Sequence, residues 1–220
     1  MKAFLEVIAE RLVKKFPDSM EEVAVVLPSK RSVVFLKSYL SKLIDKPIFL
    51  PQFFSIEEFI EKLSGYKVLD NLSLQFYLYE AYLKNPPSQV DSFEKFMSWS
   101  SMLLHDFNEV DRNLVEAKDI FSNLKEVKQL ENWDLEDWSF TSEPLTESQE
   151  SYVTFYSQIY QWYCNFNSLL SDKKLSYQGM AYRKASCEME ELSLDWSKVW
   201  FVGLNALTKS EQLIIDHLKK

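Results

Sequence analysis

The amino-acid sequence predicts a mostly helical α/β protein whose small parallel sheet is interrupted by a large all-helical insertion. Two apolar runs, at residues 23–27 and 199–202, have no polar alternation and predict strands covered on both faces, as in a parallel sheet. Between them, from about residue 70 to 190, apolar residues recur at helical spacing. We therefore expect a partial α/β domain made of residues 1–65 and 195–220, and a helical insertion domain at residues 66–194.

Two helices are expected around the first strand. The one before it has apolar residues three and four positions apart and stops near Pro17. The one after it begins at Ser29, a good N-cap, and its apolar positions fall on one side. Those positions are Val33, Leu36, Leu40 and Leu43.

Capping boxes predict two further helix starts. Ser55 with Glu58 opens one, and Thr208 with Glu211 opens the last helix of the chain. Residues 47–51 allow only a short extended piece, because the prolines at its two ends cannot donate to a ladder.

Three helices are expected inside the insertion, at residues 72–83, 93–107 and 152–170. The second is expected to open at Asp91, with Glu94 in capping-box spacing. The third carries a stripe of aromatic and aliphatic residues without any Lys or Arg between them. Base-stacking platforms interleave exposed rings with basic residues, so we interpret this stripe as core.

Composition excludes several classes of protein. The chain has 220 residues, and 46% of them are apolar, which is too rich for a disordered protein. No apolar run approaches the ~20 residues that cross a bilayer, and the amino terminus lacks a signal-peptide pattern, so we expect a cytoplasmic protein. The three glycines, Gly65, Gly179 and Gly203, stand too far apart for a phosphate-binding loop. Gly65 is instead the expected end of the helix that Ser55 opens.

The net charge of −8 is unevenly distributed. Residues 1–65 hold 10 basic and 9 acidic side chains, whereas residues 66–220 hold 15 basic and 24 acidic ones. The extreme stretch, residues 131–150, has seven carboxylates and no basic residue. We interpret it as a solvated connection between helices, with a docking segment as the alternative. The acidic balance argues against a general polyanion binder, although a local basic cluster remains able to meet DNA.

Known catalytic and metal-binding patterns are present only as fragments. A PD-(D/E)xK nuclease needs an Asp, a second carboxylate and a Lys around a divalent cation, and no such set stands at the usual spacing. The two histidines and two cysteines have no zinc-ligand spacing. His105 is expected on a helix surface, and Cys164 is expected to be a small buried hydrophobe. We expect no catalytic residue, no metal and no cofactor in this chain.

The turn after the first strand is the one cluster with a definite chemical suggestion. Ser29, Lys30 and Arg31 join the carboxyl end of a predicted parallel strand to a helix amino terminus. Backbone N–H groups and the helix dipole favour an anion there, and two cationic side chains are added. A backbone phosphate fits such a site, although a serine cap followed by surface Lys and Arg is common on any α/β scaffold.

Five segments in order resemble the start of Bacteroidetes-type PD-(D/E)xK nuclease proteins related to the AddB and RecB exonuclease subunits. They cover most of the chain and are weakest between residues 131 and 150. The segments are VLPSKRSVVFLKSYL at 26–40, PI at 47–48 with SIEEFIEKLSG at 55–65, MLLHDFNEVD at 102–111, LSYQGMAYR at 175–183 and VWFVGLNALTKSE at 199–211.

The resemblance implies a RecA-like (P-loop NTPase-like) helicase domain carrying a helical insertion, at the front of a longer protein with a nuclease domain at its far end. The turn at Ser29 falls where such helicases touch single-stranded DNA. The strand at residues 199–202 falls where they carry the magnesium-binding Walker B carboxylates. This chain has no Asp or Glu between that strand and Glu211, which implies a helicase-shaped domain without ATPase activity.

Two functions follow as hypotheses. The first is a non-catalytic DNA-handling domain of a RecB/AddB-family recombination and repair nuclease, in which Ser29, Lys30 and Arg31 contact single- or double-stranded DNA. The alternative is a protein-interaction scaffold that docks a partner helicase–nuclease subunit without contacting DNA.

Overall fold

The computed structural model describes residues 2–17, 19–87, 89–121, 147–189 and 194–219, with the backbone alone for 147–157. The chain divides into two compact units. Unit 1 comprises residues 1–65 and 184–220, and unit 2 comprises residues 66–183. The helices with both bounds in the described residues are α1 (Phe4–Lys15), α2 (Lys30–Leu43), α3 (Ile56–Ser64), α4 (Asn71–Lys84), α5 (Phe93–Arg112), α6 (Glu147–Asp172), α7 (Gln178–Cys187) and α8 (Lys209–Leu218). The strands are β1 (Val23–Leu27), β2 (Gln52–Ser55), β3 (Lys67–Val68), β4 (Leu175–Ser176) and β5 (Lys198–Phe201).

Unit 1 is built on a three-stranded sheet in the order β2-β1-β5, with both neighbours parallel to β1. The prediction that the apolar runs near residues 25 and 200 pair in parallel is confirmed, since Val25 lies opposite Trp200. The piece expected at 47–51 takes no part in strand pairing, which begins at Gln52, after the second proline, where every residue has an N–H to donate. The fully buried β1 is the central strand.

Helices cover both faces of this sheet. On one face α1 and α2 pack over β1, with Leu12, Leu36 and Leu40 fully buried. On the other face, Phe59 of α3 lies edge-on to Phe201 of β5, with 5.7 Å between ring centroids. Alternate side chains of each strand point to opposite faces, so an uninterrupted apolar strand needs both layers.

The helix ends follow most of the sequence signals. Both capping boxes are formed, and Gly65 ends α3 with a left-handed backbone at φ +65°. The predicted start of α5 is wrong, because the N-cap is Ser92, whose hydroxyl accepts the Lys95 N–H. Asp91 accepts the indole N–H of Trp99 instead and pairs with Lys95.

In the part of unit 2 that the structure describes, the regular elements are helices apart from the two-residue strands β3 and β4, which pair in parallel and which the sequence pattern did not reveal. Helix α6 contributes Trp162 and Phe166 to the core, so the core interpretation of its stripe is confirmed for the described side chains. The stripe positions before residue 158 lie outside the described side chains. Cys164 is only half-buried, which corrects the expectation of burial, while His105 is exposed as expected.

One sequence prediction, that of a solvated acidic connection, stays a prediction. The acidic stretch 131–150 lies outside the residues whose side chains are described. Across the described ranges, none of the helices is both long enough and apolar enough to span a lipid bilayer.

Candidate nucleic-acid interface

The predicted turn lies at the carboxyl edge of the three-stranded sheet. Strand β1 ends at Leu27, and α2 begins at Lys30 after two residues. The Ser29 hydroxyl accepts the Ser32 N–H at 3.3 Å, which fixes the first turn of the helix. Among the described residues, the backbone N–H groups of Lys30 and Arg31 donate no hydrogen bond, as helix geometry requires of the first turn. Two backbone donors at this edge therefore have no acceptor among the described residues.

Lys30 is not free to meet a ligand on its own. Its Nζ lies 2.9 Å from Oε1 of Glu58, although 74% of the Lys30 side chain is exposed. The pairing arises because Leu27 at the end of β1 lies opposite Ser55 at the end of β2, so α2 and α3 start side by side. The hydrogen bond and charge of Glu58 raise the pKa of Lys30. The sequence did not reveal this partner, since it follows from strand order.

Glu58 also caps the amino terminus of α3. Its Oε2 accepts the Ser55 N–H at 3.0 Å, closing the capping box. That backbone hydrogen bond is the largest cause of a lowered pKa for Glu58, and the hydrogen bond and charge of Lys30 lower the pKa further. The carboxylate is therefore held in place from two sides and competes directly with any phosphate for Lys30.

Arg31 differs from Lys30 in having no competitor. Its side chain is exposed and makes no ion pair or hydrogen bond with any residue in the described ranges. It stands at the second position of α2, where the helix dipole also favours an anion. Of the three predicted site residues, Arg31 is therefore available, Lys30 is shared with Glu58, and Ser29 is occupied as the cap.

The three helices that follow the sheet strands differ at their amino termini. Helix α3 carries Glu57 and Glu58 in its first turn, and α8 carries Glu211. These carboxylates already neutralise the positive helix end. Helix α2 has no acidic residue in its first turn. Its amino terminus is therefore the one of these three that is open to an external anion.

The end of β5 carries no carboxylate next to the sheet. Val202 donates its N–H to Val26, and Gly203 then adopts a left-handed backbone at φ +69°. Asn205 is exposed, and its side chain accepts the N–H of Ala206. Glu211 is buried and accepts the Thr208 N–H at 2.8 Å, so it serves as a cap.

Unit 2 holds a buried polar cluster that the sequence reasoning missed, which we term the Asp111 network. Asp111 is fully buried and accepts hydrogen bonds from the hydroxyls of Tyr163 and Tyr177 and from Nε of Arg183. The Tyr177 hydroxyl also lies 3.0 Å from Oδ1 of Asn167. These contacts tie α5, α6 and α7 together.

The Asp111 network is satisfied from within. Burial is the main cause, and the negative charge of Asp111 the next, of pKa values for Tyr163 and Tyr177 well above the usual tyrosine range. Both hydroxyls therefore remain protonated donors. Arg183 also donates to the carbonyl oxygen of Val115 at 2.6 Å. With its oxygens already bonded, Asp111 is a structural residue. No spacing in the sequence signals this network, because Asp111 and Arg183 are 72 positions apart.

The backbones of α5 and α7 also approach each other closely at Gly179. Gly179 donates its N–H to Oδ1 of Asn108 at 2.7 Å, and a Cβ at position 179 would collide with the backbone carbonyl of Asn108. Only glycine fits here without moving α5.

No grouping of three or more His, Cys, Asp or Glu side chains that would hold a metal ion occurs in the part of the chain described. Comparison of the chain with protein-family models and with curated proteins finds no match. The nuclease-family resemblance therefore stays a prediction from the five segments.

Proposed function

We propose that this chain is a non-catalytic, helicase-like DNA-handling domain of a RecB/AddB-family recombination and repair nuclease. The finer fold assignment, a RecA-like domain with a helical insertion, belongs to the same proposal. Its support is the parallel β1-α2-β2 unit and the return of the chain to the same sheet at β5. The carboxylate-free stretch after β5 favours a domain that does not hold magnesium there.

The observation that carries the proposal is the open amino terminus of α2. It combines backbone donors and an Arg31 guanidinium that have no partner among the described residues with the absence of a first-turn carboxylate. A guanidinium can donate two parallel hydrogen bonds to one phosphate, which suits it to a sugar–phosphate backbone. We therefore assign Arg31 as the main phosphate contact, with Lys30 contributing less because of Glu58.

The rival function is a scaffold for a partner helicase–nuclease subunit. What favours it is an apolar stripe on α4 formed by Leu72, Phe76 and Leu83, each about half exposed. These residues recur at helical spacing and lie on one side of the helix. Exposed contiguous apolar surface is typical of protein interaction sites.

Salt-dependent binding of a fluorescent single-stranded oligonucleotide separates the two functions. We expect weak binding, with a dissociation constant of about 10⁻⁴ to 10⁻⁶ M, that weakens further as salt rises. Arg31→Ala should weaken binding and flatten the slope of log affinity against log salt by about 0.7 unit, the value for one lost phosphate contact.

Arg11→Ala is the matched control, because Arg11 is an exposed arginine of the same unit, on α1. It removes the same charge and should leave the slope unchanged. Equal effects of the two substitutions would place the contact elsewhere. No binding by the parent chain at low salt would favour the scaffold.

A further inference from the structure

Helix α2 is basic along its whole length in a chain of net charge −8. It contains four cations and no Asp or Glu. The cations are Lys30, Arg31, Lys37 and Lys42. This charge pattern favours a polyanion as the occupant of the outer face of α2. The net negative charge of the rest of the molecule disfavours binding of a polyanion elsewhere.

An exposed aromatic ring lies among these cations. Phe35 is 54% exposed and makes no aromatic contact with any residue in the described ranges. The core side of the helix is formed by Leu36 and Leu40, which are fully buried, so Phe35 is not needed to anchor α2. Val34, the preceding residue, is 66% exposed but points to a different side of the helix.

Helical spacing aligns the ring with cations on both sides. Arg31, Phe35, Ser38 and Lys42 recur at intervals of four, three and four residues and are all exposed, forming the α2 stripe. The rise of 1.5 Å per residue puts Phe35 about 6 Å along the axis from Arg31 and about 10 Å from Lys42. Proteins that bind single strands pair a cationic track for the backbone with aromatic rings for the bases.

We propose that the α2 stripe binds single-stranded nucleic acid by stacking a base on Phe35, with Arg31 and Lys42 on the flanking phosphates. This inference rests on the proposed function and deepens it, since a phosphate contact at Arg31 alone does not distinguish a single strand from a duplex. Stacking requires an unpaired base, so the stripe selects single strands. The preference is tolerant of sequence, because every base presents a π-face.

The test compares two oligonucleotides of equal length and charge: oligothymidylate, and a sugar–phosphate chain without bases. The wild-type chain should bind oligothymidylate about tenfold more tightly. Phe35→Ala should remove that difference and leave binding of the abasic chain unchanged. Phe49→Ala is the matched control, because Phe49 is 79% exposed in the same unit and lies off the stripe. It should retain the tenfold preference.

The outcomes separate the two proposals. Equal binding of both oligonucleotides by the wild type would overturn stacking on Phe35 and leave DNA handling in place. No binding of either would overturn both. If polyglutamate competes as well as oligothymidylate, and Phe35→Ala abolishes its binding, the stripe binds an acidic protein segment and the inference is wrong. Thermal unfolding of Phe35→Ala, expected to match the wild type, guards against a folding defect.

Discussion

Replacing Asp111 by Asn should destabilise the chain strongly although the two side chains have the same shape. The substitution leaves the Arg183 guanidinium without its ion pair. It also replaces a carboxylate, which accepts hydrogen bonds from two tyrosine hydroxyls, by an amide whose NH₂ group cannot accept them. Removing one partner of a buried ion pair costs about 3 to 5 kcal/mol. Arg183 keeps its carbonyl partners and is partly exposed, and Tyr177 can turn to Asn167, which reduces the cost. We expect a loss of about 3 kcal/mol.

Urea unfolding followed by circular dichroism at pH 7 measures this loss. Asp106→Asn is the control on the same helix. Asp106 is exposed by surface area, and the desolvation that it does experience raises its pKa, so a neutral side chain costs little there. That variant should stay within about 0.5 kcal/mol of the wild type. A similar small change for Asp111→Asn would refute the view that the Asp111 network holds unit 2 together.

Three further predictions concern the interface, the sheet and the buried tyrosines. Glu58→Gln keeps a capping-box side chain but frees Lys30, so oligonucleotide affinity should rise and the salt slope should steepen by about 0.7 unit; the charge-matched Glu94→Gln, in unit 2, should change neither. Val25→Asp puts an unpaired charge into the central strand at a cost of several kcal/mol and should unfold unit 1 in circular dichroism, whereas Val34→Asp on the exposed face of α2 should fold. The pKa of Tyr177 is raised in the folded state. The contribution of Tyr177 to the free energy of unfolding is therefore complete below about pH 10, where the unfolded tyrosine titrates, and is lost as the pH rises above that value. The free energy of unfolding should fall by about 1.4 kcal/mol per pH unit above 10 from this group, and urea curves of Tyr177→Phe should lack that contribution.

The sequence predicted those parts of the fold that depend on local patterns. The pairing of β1 with β5 followed from two doubly apolar runs, and the starts of α2, α3 and α8 followed from their caps. The bounds of strand β2 were not predicted, because prolines mark where a strand cannot pair but not where pairing begins.

The environment of the predicted site depends on residues that are distant in the sequence, so it could not be predicted from local sequence patterns. Ser29, Lys30 and Arg31 were identified from a strand, a cap and two cations. Glu58 was identified only as a cap, because its contact with Lys30 requires β2 to lie beside β1. The Asp111 network likewise joins residues separated by 52 to 72 positions, which no local pattern connects.

The central claim, that the open amino terminus of α2 contacts DNA, is tested most directly by titrating the ¹⁵N-labelled chain with oligothymidylate and following its backbone amide resonances. The account predicts that the largest shifts fall on residues 29–32, where the N–H groups of Lys30 and Arg31 are available to the phosphate, and that residues 208–211 at the start of α8, already capped by Glu211, do not respond. Shifts that leave residues 29–32 unchanged while binding is detected would contradict it.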